Sequence, residues 1–289
     1  MCVSLDFGRY FPRYKTLSST RKEEFERLCS HIIDNPNMQI QLIGPKSLDN
    51  ALSVPIDAAG LVAGHIAELF LGRTDILDRV LRHPRAFLFY TTRQAYVDAG
   101  GAMGGQFDPV RGAVMMEHKR LVEGFGAERP GVSPFLHEFG HMLDFVDIVL
   151  GGYRMTSDGM LPGLRKNDGA IFTPEAHMLF IEGKRLERDR YLALANAVAR
   201  KPVSAYPIGH PYVFQNDGEF CAGYLELWLR NPNYFATQNP RLFDGYATLF
   251  KWDPRTAWPK DFDFYVLQNR AFFDSGERLW PCGITVGES

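Results

Sequence analysis

Two histidines four residues apart enclose a glutamate in the run His137-Glu138-Phe139-Gly140-His141. On a helix this spacing puts both imidazoles on one face, one turn apart, where they can share a metal ion. Glu138 follows the first histidine and can reach a water on that ion without being a ligand itself. This is the HExxH pattern of zinc hydrolases. The bland alternative is an amphipathic helix with two satisfied core histidines. Against it, apart from Asp144 and Asp147, the rest of the stretch from Phe135 to Leu150 is apolar or glycine. Two histidines and a glutamate would be costly to bury there unpaired.

A catalytic zinc usually takes three protein ligands and keeps one position for water. No third histidine follows soon after His141, so a distant carboxylate is needed. Glu175, Glu182, Glu187, Glu219 and Glu226 are the candidates. Glu219 opens an apolar helix that runs to Trp228 with few other charges. Asn216-Asp-Gly-Glu219 is also a capping-box pattern, in which Glu219 would only bond a backbone N–H. The residues alone leave both roles open.

The elements that must position these groups are readable from periodicity and caps. Ser133 and Pro134 suit the cap and first turn of a helix, because a proline there gives up an N–H that the helix start cannot use. Leu136, Phe139, Leu143, Val146 and Leu150 form its apolar stripe, predicting a helix over 134–150 that Gly151-Gly152 ends. Helices are also predicted at 18–34, 56–71, 75–81, 174–200, 217–230 and 240–250, with Asn231-Pro232 and Asn239-Pro240 as cap-plus-proline starts. Alternation over 38–44 and the apolar runs 86–90 and 112–116 predict strands. Gly100–Gly105 holds four glycines and predicts a loop, as does the polar, glycine-rich stretch 153–173. The expected class is α+β, mainly helical with a small sheet. One domain over 1–289 is expected, with a helical N-terminal half to residue 110, a catalytic core over 111–255 and a poorly tied tail from Ser275 to Ser289.

The 289 residues are 45% hydrophobic and 23% charged, enough for a core without staples. The 32 basic and 34 acidic residues leave a net charge of −2, so no case arises for nucleic acid or an anionic membrane surface. Cys2, Cys29, Cys221 and Cys282 are scattered and form no CxxC pair, which argues against a disulfide framework or a cysteine zinc site. The first residues show no apolar run after a basic start, so no signal peptide is expected. The apolar window 61–71 contains His65 and Glu68 and is too short for a bilayer span. A cytoplasmic protein is expected. The remaining histidines, His31, His65, His83, His118, His177 and His210, have bland readings as core or surface residues.

Three segments resemble the Mlc titration factor A family of zinc-dependent peptidases, which is related in fold to the catalytic domain of anthrax lethal factor. His137-Glu-Phe-Gly-His-Met-Leu-Asp144 is similar to the family's HEFxHxLD block. His210-Pro-Tyr-Val-Phe-Gln-Asn-Asp-Gly-Glu-Phe220 is similar to its PYxxxNxxEFFA stretch, and the segments from Asn231 to Phe243 and on to Trp252-Asp-Pro254 to its closing helices. The resemblance covers about residues 10–255. It implies a zincin-like gluzincin fold and one Zn²⁺ per chain on His137, His141 and Glu219. Glu138 would be the general base, and Tyr212 would support the oxyanion. Asp144, about one turn after His141, could hold a ligand histidine from behind, with an ordinary helix-face acid nearly as good a reading. By analogy with metallopeptidase clefts, the strand at 112–116 would pair with an extended peptide substrate. The segment over 151–170 would be an insertion relative to the family, and Cys221 and Gly223 depart from its usual residues. The second reading is a protein that sequesters a transcriptional regulator, with the zinc site secondary. A third is a metal hydrolase acting on a non-peptide amide. Glu138→Gln separates the first two, since only hydrolysis depends on that carboxylate.

Overall fold

The computed structural model describes residues 5–44, 54–102, 104–125, 133–145, 173–195, 206–257, 261 and 273–275. Its N-terminal part places α1 (Phe7–Tyr10), α2 (Pro12–Thr16) and α3 (Ser19–Asp34) before β1 (Met38–Ile43). After β1 come α4 (Val54–Phe70), α5 (Thr74–Leu81), β2 (Arg85–Tyr90), α6 (Arg93–Asp98), β3 (Gly105–Asp108), β4 (Ala113–Glu117) and α7 (His118–Phe125). The described residues that follow are mainly helical: α8 (Pro134–Asp144), α9 (Pro174–Ala195), α10 (Asp217–Arg230), α11 (Pro232–Gln238) and α12 (Pro240–Phe250), with short 3-10 turns at Pro211–Phe214 and Pro254–Thr256. The architecture is α+β, mainly helical, around one four-stranded sheet. Among the described residues no helix is long and apolar enough to cross a membrane.

The sheet order is β1-β2-β4-β3, with β1, β2 and β4 parallel and β3 antiparallel to β4. Central parallel strands are covered on both faces, which explains why 86–90 reads as a continuous apolar run. Phe87, Phe89, Val114 and Met116 face the main core with α4 and α8. Tyr90, Ala113 and Met115 face a smaller cluster closed by Tyr96 of α6. The Phe135 and Phe139 rings of α8 stack 5.9 Å apart, and Phe87 lies 5.9 Å from Phe135. These contacts fix α8 beneath the sheet.

Several boundaries differ from expectation. The helix carrying His137 ends at Asp144 rather than Leu150. Phe145 leaves the helical path, its N–H reaches back to the last carbonyls, and its ring packs 5.5 Å from Phe107 of β3. Gly105, expected in a loop, begins β3. The six-residue α6, capped by Thr92, and α7 were not foreseen. Residues 146–172, 196–205 and 276–289 hold the expected ends of two helices, most of the insertion and nearly all of the tail; they lie outside the described residues. Cys29 and Cys221 are buried.

Candidate metal centre

The start of α8 is set locally. The Ser133 hydroxyl accepts the Leu136 N–H, and Pro134 takes the first turn. The Ser133 N–H donates to Glu226 of α10 at 2.5 Å. Two turns up α10 from Glu226, about 10 Å at helical rise, stands Glu219. The two helices therefore run antiparallel, with His137 and His141 opposite Glu219. They pack closely between these points: a Cβ on Gly140 would come 2.8 Å from the Ala222 Cα.

His137, His141 and Glu219 converge. His137 Nε2 lies 2.9 Å from Glu219 Oε2 and 3.2 Å from His141 Nε2, and His141 Nε2 lies 3.4 Å from the same carboxylate oxygen. The three ligand atoms fall within 4.8 Å of one another, so the group could hold a metal ion. Tetrahedral zinc with bonds of about 2.0–2.1 Å separates its ligand atoms by roughly 3.3–3.4 Å. The observed spacings bracket that value, so the donor set fits. Among the described residues this is the one such group of His, Cys, Asp and Glu.

The other candidate carboxylates lie elsewhere. Glu175 and Glu182 are exposed on α9, Glu182 facing Arg241. Glu187 is fully buried against Arg190. Glu226 holds the start of α8. The capping question resolves in two halves. Asn216 does cap α10, accepting the Glu219 N–H at 2.9 Å. The Glu219 carboxylate instead turns to the histidines.

Glu138 sits on the side of α8 toward β3. A Cβ on Gly105 would lie 3.1 Å from Glu138 Cγ, and the Phe107 N–H donates to the Glu138 carboxylate. Burial raises the Glu138 carboxyl above the usual carboxylate range, although His137, His141 and the Phe107 N–H pull the other way. Burial also raises Glu219, but its hydrogen bonds to both histidines outweigh this and hold it well below the usual range. Burial lowers His137, yet its hydrogen bond to Glu219 and the charges of Glu138, Glu226 and Glu219 leave it above the ordinary imidazole value.

Tyr212 lies on the 3-10 turn, 37% exposed, its ring 6.0 Å from that of His137. Its hydroxyl hydrogen-bonds Glu219, and burial together with the charge of Glu219 pushes it up to about 12. It therefore remains a proton donor at neutral pH. Asp144 is buried at the end of α8, with its charge felt at Tyr246.

The strand at 113–117 cannot receive a substrate by pairing. β2 and β3 flank it on both sides and occupy its backbone groups. β3 is the edge beside the site. Neither β3 nor Phe107 was foreseen, because Gly105-Gln-Phe-Asp108 is too short to show alternation.

A scan against protein-family models finds no match for this chain, and a search of curated proteins finds none.

Proposed function

We propose that the chain is a zinc-dependent peptidase with a zincin-like arrangement of sheet and active-site helix. The observation that carries this is the meeting of His137, His141 and Glu219 from two antiparallel helices, with Glu138 beside them. Two imidazoles and one carboxylate suit Zn²⁺. The resemblance of 137–144 and 210–220 to the Mlc titration factor A family points the same way.

Zn²⁺ held there would polarise a scissile carbonyl and acidify the attacking water. Glu138 takes a proton from that water on its carboxylate and later delivers it to the leaving amine. Its raised affinity for a proton suits both steps. The Tyr212 hydroxyl donates to the oxygen on which charge develops. An extended peptide lies along the edge of β3, where strand pairing orients its carbonyl.

The test is metal per chain on wild type, Glu219→Ala and Glu138→Gln, each checked for folding, with hydrolysis of a peptide panel. Wild type should carry about one zinc, and Glu219→Ala should lose most of it. Glu138→Gln should keep zinc and lose hydrolysis by roughly 100-fold or more. A folded wild type that takes up no zinc would sink the proposal. Full zinc retention in Glu219→Ala would remove that residue as a ligand. Zinc with no turnover of any peptide would point to another amide as substrate.

A further inference from the structure

Tyr212 stands on a turn that cannot hold its own position. The turn is four residues long, and its bonds are local: the Tyr212 N–H donates to His210 Nδ1 at 3.2 Å and the Val213 N–H to the His210 carbonyl at 3.0 Å. Short 3-10 segments have poor hydrogen-bond geometry and depend on their surroundings. Its anchor lies just upstream. The Ile208 N–H donates to Glu187 Oε2 at 2.7 Å, and the Gly209 N–H donates to the Tyr224 hydroxyl at 3.1 Å. That hydroxyl in turn donates to the same Glu187 oxygen at 2.5 Å.

Glu187 is 0% exposed, and a buried carboxylate persists only when its charge and lone pairs are met. Its second oxygen accepts from Arg190 Nη1 at 2.6 Å and from Asn239 Nδ2 at 3.1 Å. Asn239 also caps α12 through the Leu242 N–H. The carboxylate is thus fixed to α9 and to the start of α12. Tyr224 belongs to α10, five residues beyond Glu219. Val213 is seated between two glycines: a Cβ on Gly209 would come 2.6 Å, and one on Gly223 2.3 Å, from its methyl groups. The absence of a side chain at Gly223 therefore makes room for the turn.

We infer that Glu187 and Tyr224 are positioning residues, a buried pair that catches two successive backbone amides and so sets the Tyr212 hydroxyl against the metal ligands. Through Tyr224 the helix that supplies Glu219 also supplies the seat for Tyr212, so the two move as a unit. The catalytic consequence rests on the peptidase reading above. The mechanical one does not.

The experiment uses Tyr224→Phe and Glu187→Gln, each alone and combined with Tyr212→Phe. Zinc content, kcat and KM on a peptide, and amide exchange by mass spectrometry are measured. Zinc should be unchanged. kcat should fall roughly 10- to 100-fold, since displacement of an oriented group by about 1 Å costs that much, while KM stays within about twofold. In the Tyr212→Phe background the further loss should vanish, which a general loss of stability would not produce. Exchange over 207–214 should accelerate while 136–141 stays protected. Equal losses in both backgrounds, or unchanged exchange over 207–214, would overturn the inference. If wild type cleaves no peptide, the peptidase reading fails and the exchange result alone decides the anchor. Tyr224→Phe conserves the ring, so it carries the test should Glu187→Gln not fold.

Discussion

Gly140→Ala sets two effects of opposite sign against each other at the centre of the site. Alanine improves helix propensity by about 0.5–1 kcal/mol over glycine. The added Cβ, however, would sit 2.8 Å from the Ala222 Cα and 3.2 Å from its Cβ. Carbon atoms rest at about 3.5–4.0 Å, so α8 and α10 must part by roughly 0.7–1.2 Å. Overpacking of this kind costs about 1–3 kcal/mol. The clash wins, for a net loss of about 1 kcal/mol and a Tm lower by about 2–4 °C. The larger effect falls on the metal. His137 and His141 ride together on α8, so their 3.2 Å separation is conserved. The 2.9 and 3.4 Å gaps to Glu219 cross between the helices and must open. Glutamate rotamers recover part of this, leaving zinc affinity roughly 10- to 100-fold weaker. Competition of metal-free protein against a chromophoric chelator reads the affinity, and thermal unfolding reads the stability. Adding Ala222→Gly should restore only a fraction, because the closest atom belongs to the backbone. Zinc affinity within twofold of wild type together with a raised Tm would refute the reasoning.

Gly183→Ala should lower Tm by about 5 °C, because its Cβ would come within 2.4–2.6 Å of Leu242 where α9 crosses α12. Zinc per chain should hold, since neither helix supplies a ligand; a loss of metal would contradict this. Glu68 is buried in α4, where the Arg13 N–H donates to its carboxylate at 3.2 Å and the Arg13 guanidinium lies 4.3 Å over the Trp252 ring. Burial, eased by Arg13 and Arg230, raises its carboxyl from 4.5 to about 7. The folded state then binds this proton more tightly than the unfolded state, so its stabilising share is complete below about pH 4.5 and is lost as pH rises to about 7. Glu68→Gln should gain on wild type by about 3 kcal/mol between those limits, measured by urea unfolding at pH 4.5 and 7.5. The opposite slope from His65, lowered by burial to about 3, is common to both proteins and cancels. A pH-independent difference would exclude this origin.

What was legible in the sequence is what a few neighbouring residues decide together. Ser133-Pro134 sets the start of α8 through the hydroxyl and the missing N–H, and the structure places both there. His137 and His141 meet because their spacing matches one helical turn. Asn216 caps α10 as its pattern predicts. The candidate third ligand is different in kind. The residues alone leave Glu219 open against four other carboxylates, with its apolar helix and the resemblance favouring it, and the antiparallel crossing of α8 and α10 brings Glu219 to the histidines while Glu226 points from the same helix toward Ser133. At that crossing Gly140 lies against Ala222, 82 residues apart in sequence, where no local rule operates.

The same logic explains the misplaced substrate strand. An apolar strand such as 113–117 announces itself because it is central and buried on both faces, and for that reason its pairing groups are already used. The edge strand that could receive a peptide must keep one side unpaired. Its sequence is correspondingly short, glycine-led and without alternation. Glycine at 105 has a further cause, since a side chain there would press on Glu138. The features that would make β3 useful beside a metal on His137, His141 and Glu219 are the ones that hide it from a reading based on hydrophobic pattern. Glu187 shows the converse. In the sequence it stands only as one of five candidate metal-ligand carboxylates, on a charged helix, yet Ile208, Tyr224, Arg190 and Asn239 bring donors from four different places and make its burial possible. A local pattern shows the charge; only the assembled neighbours show why it can be buried.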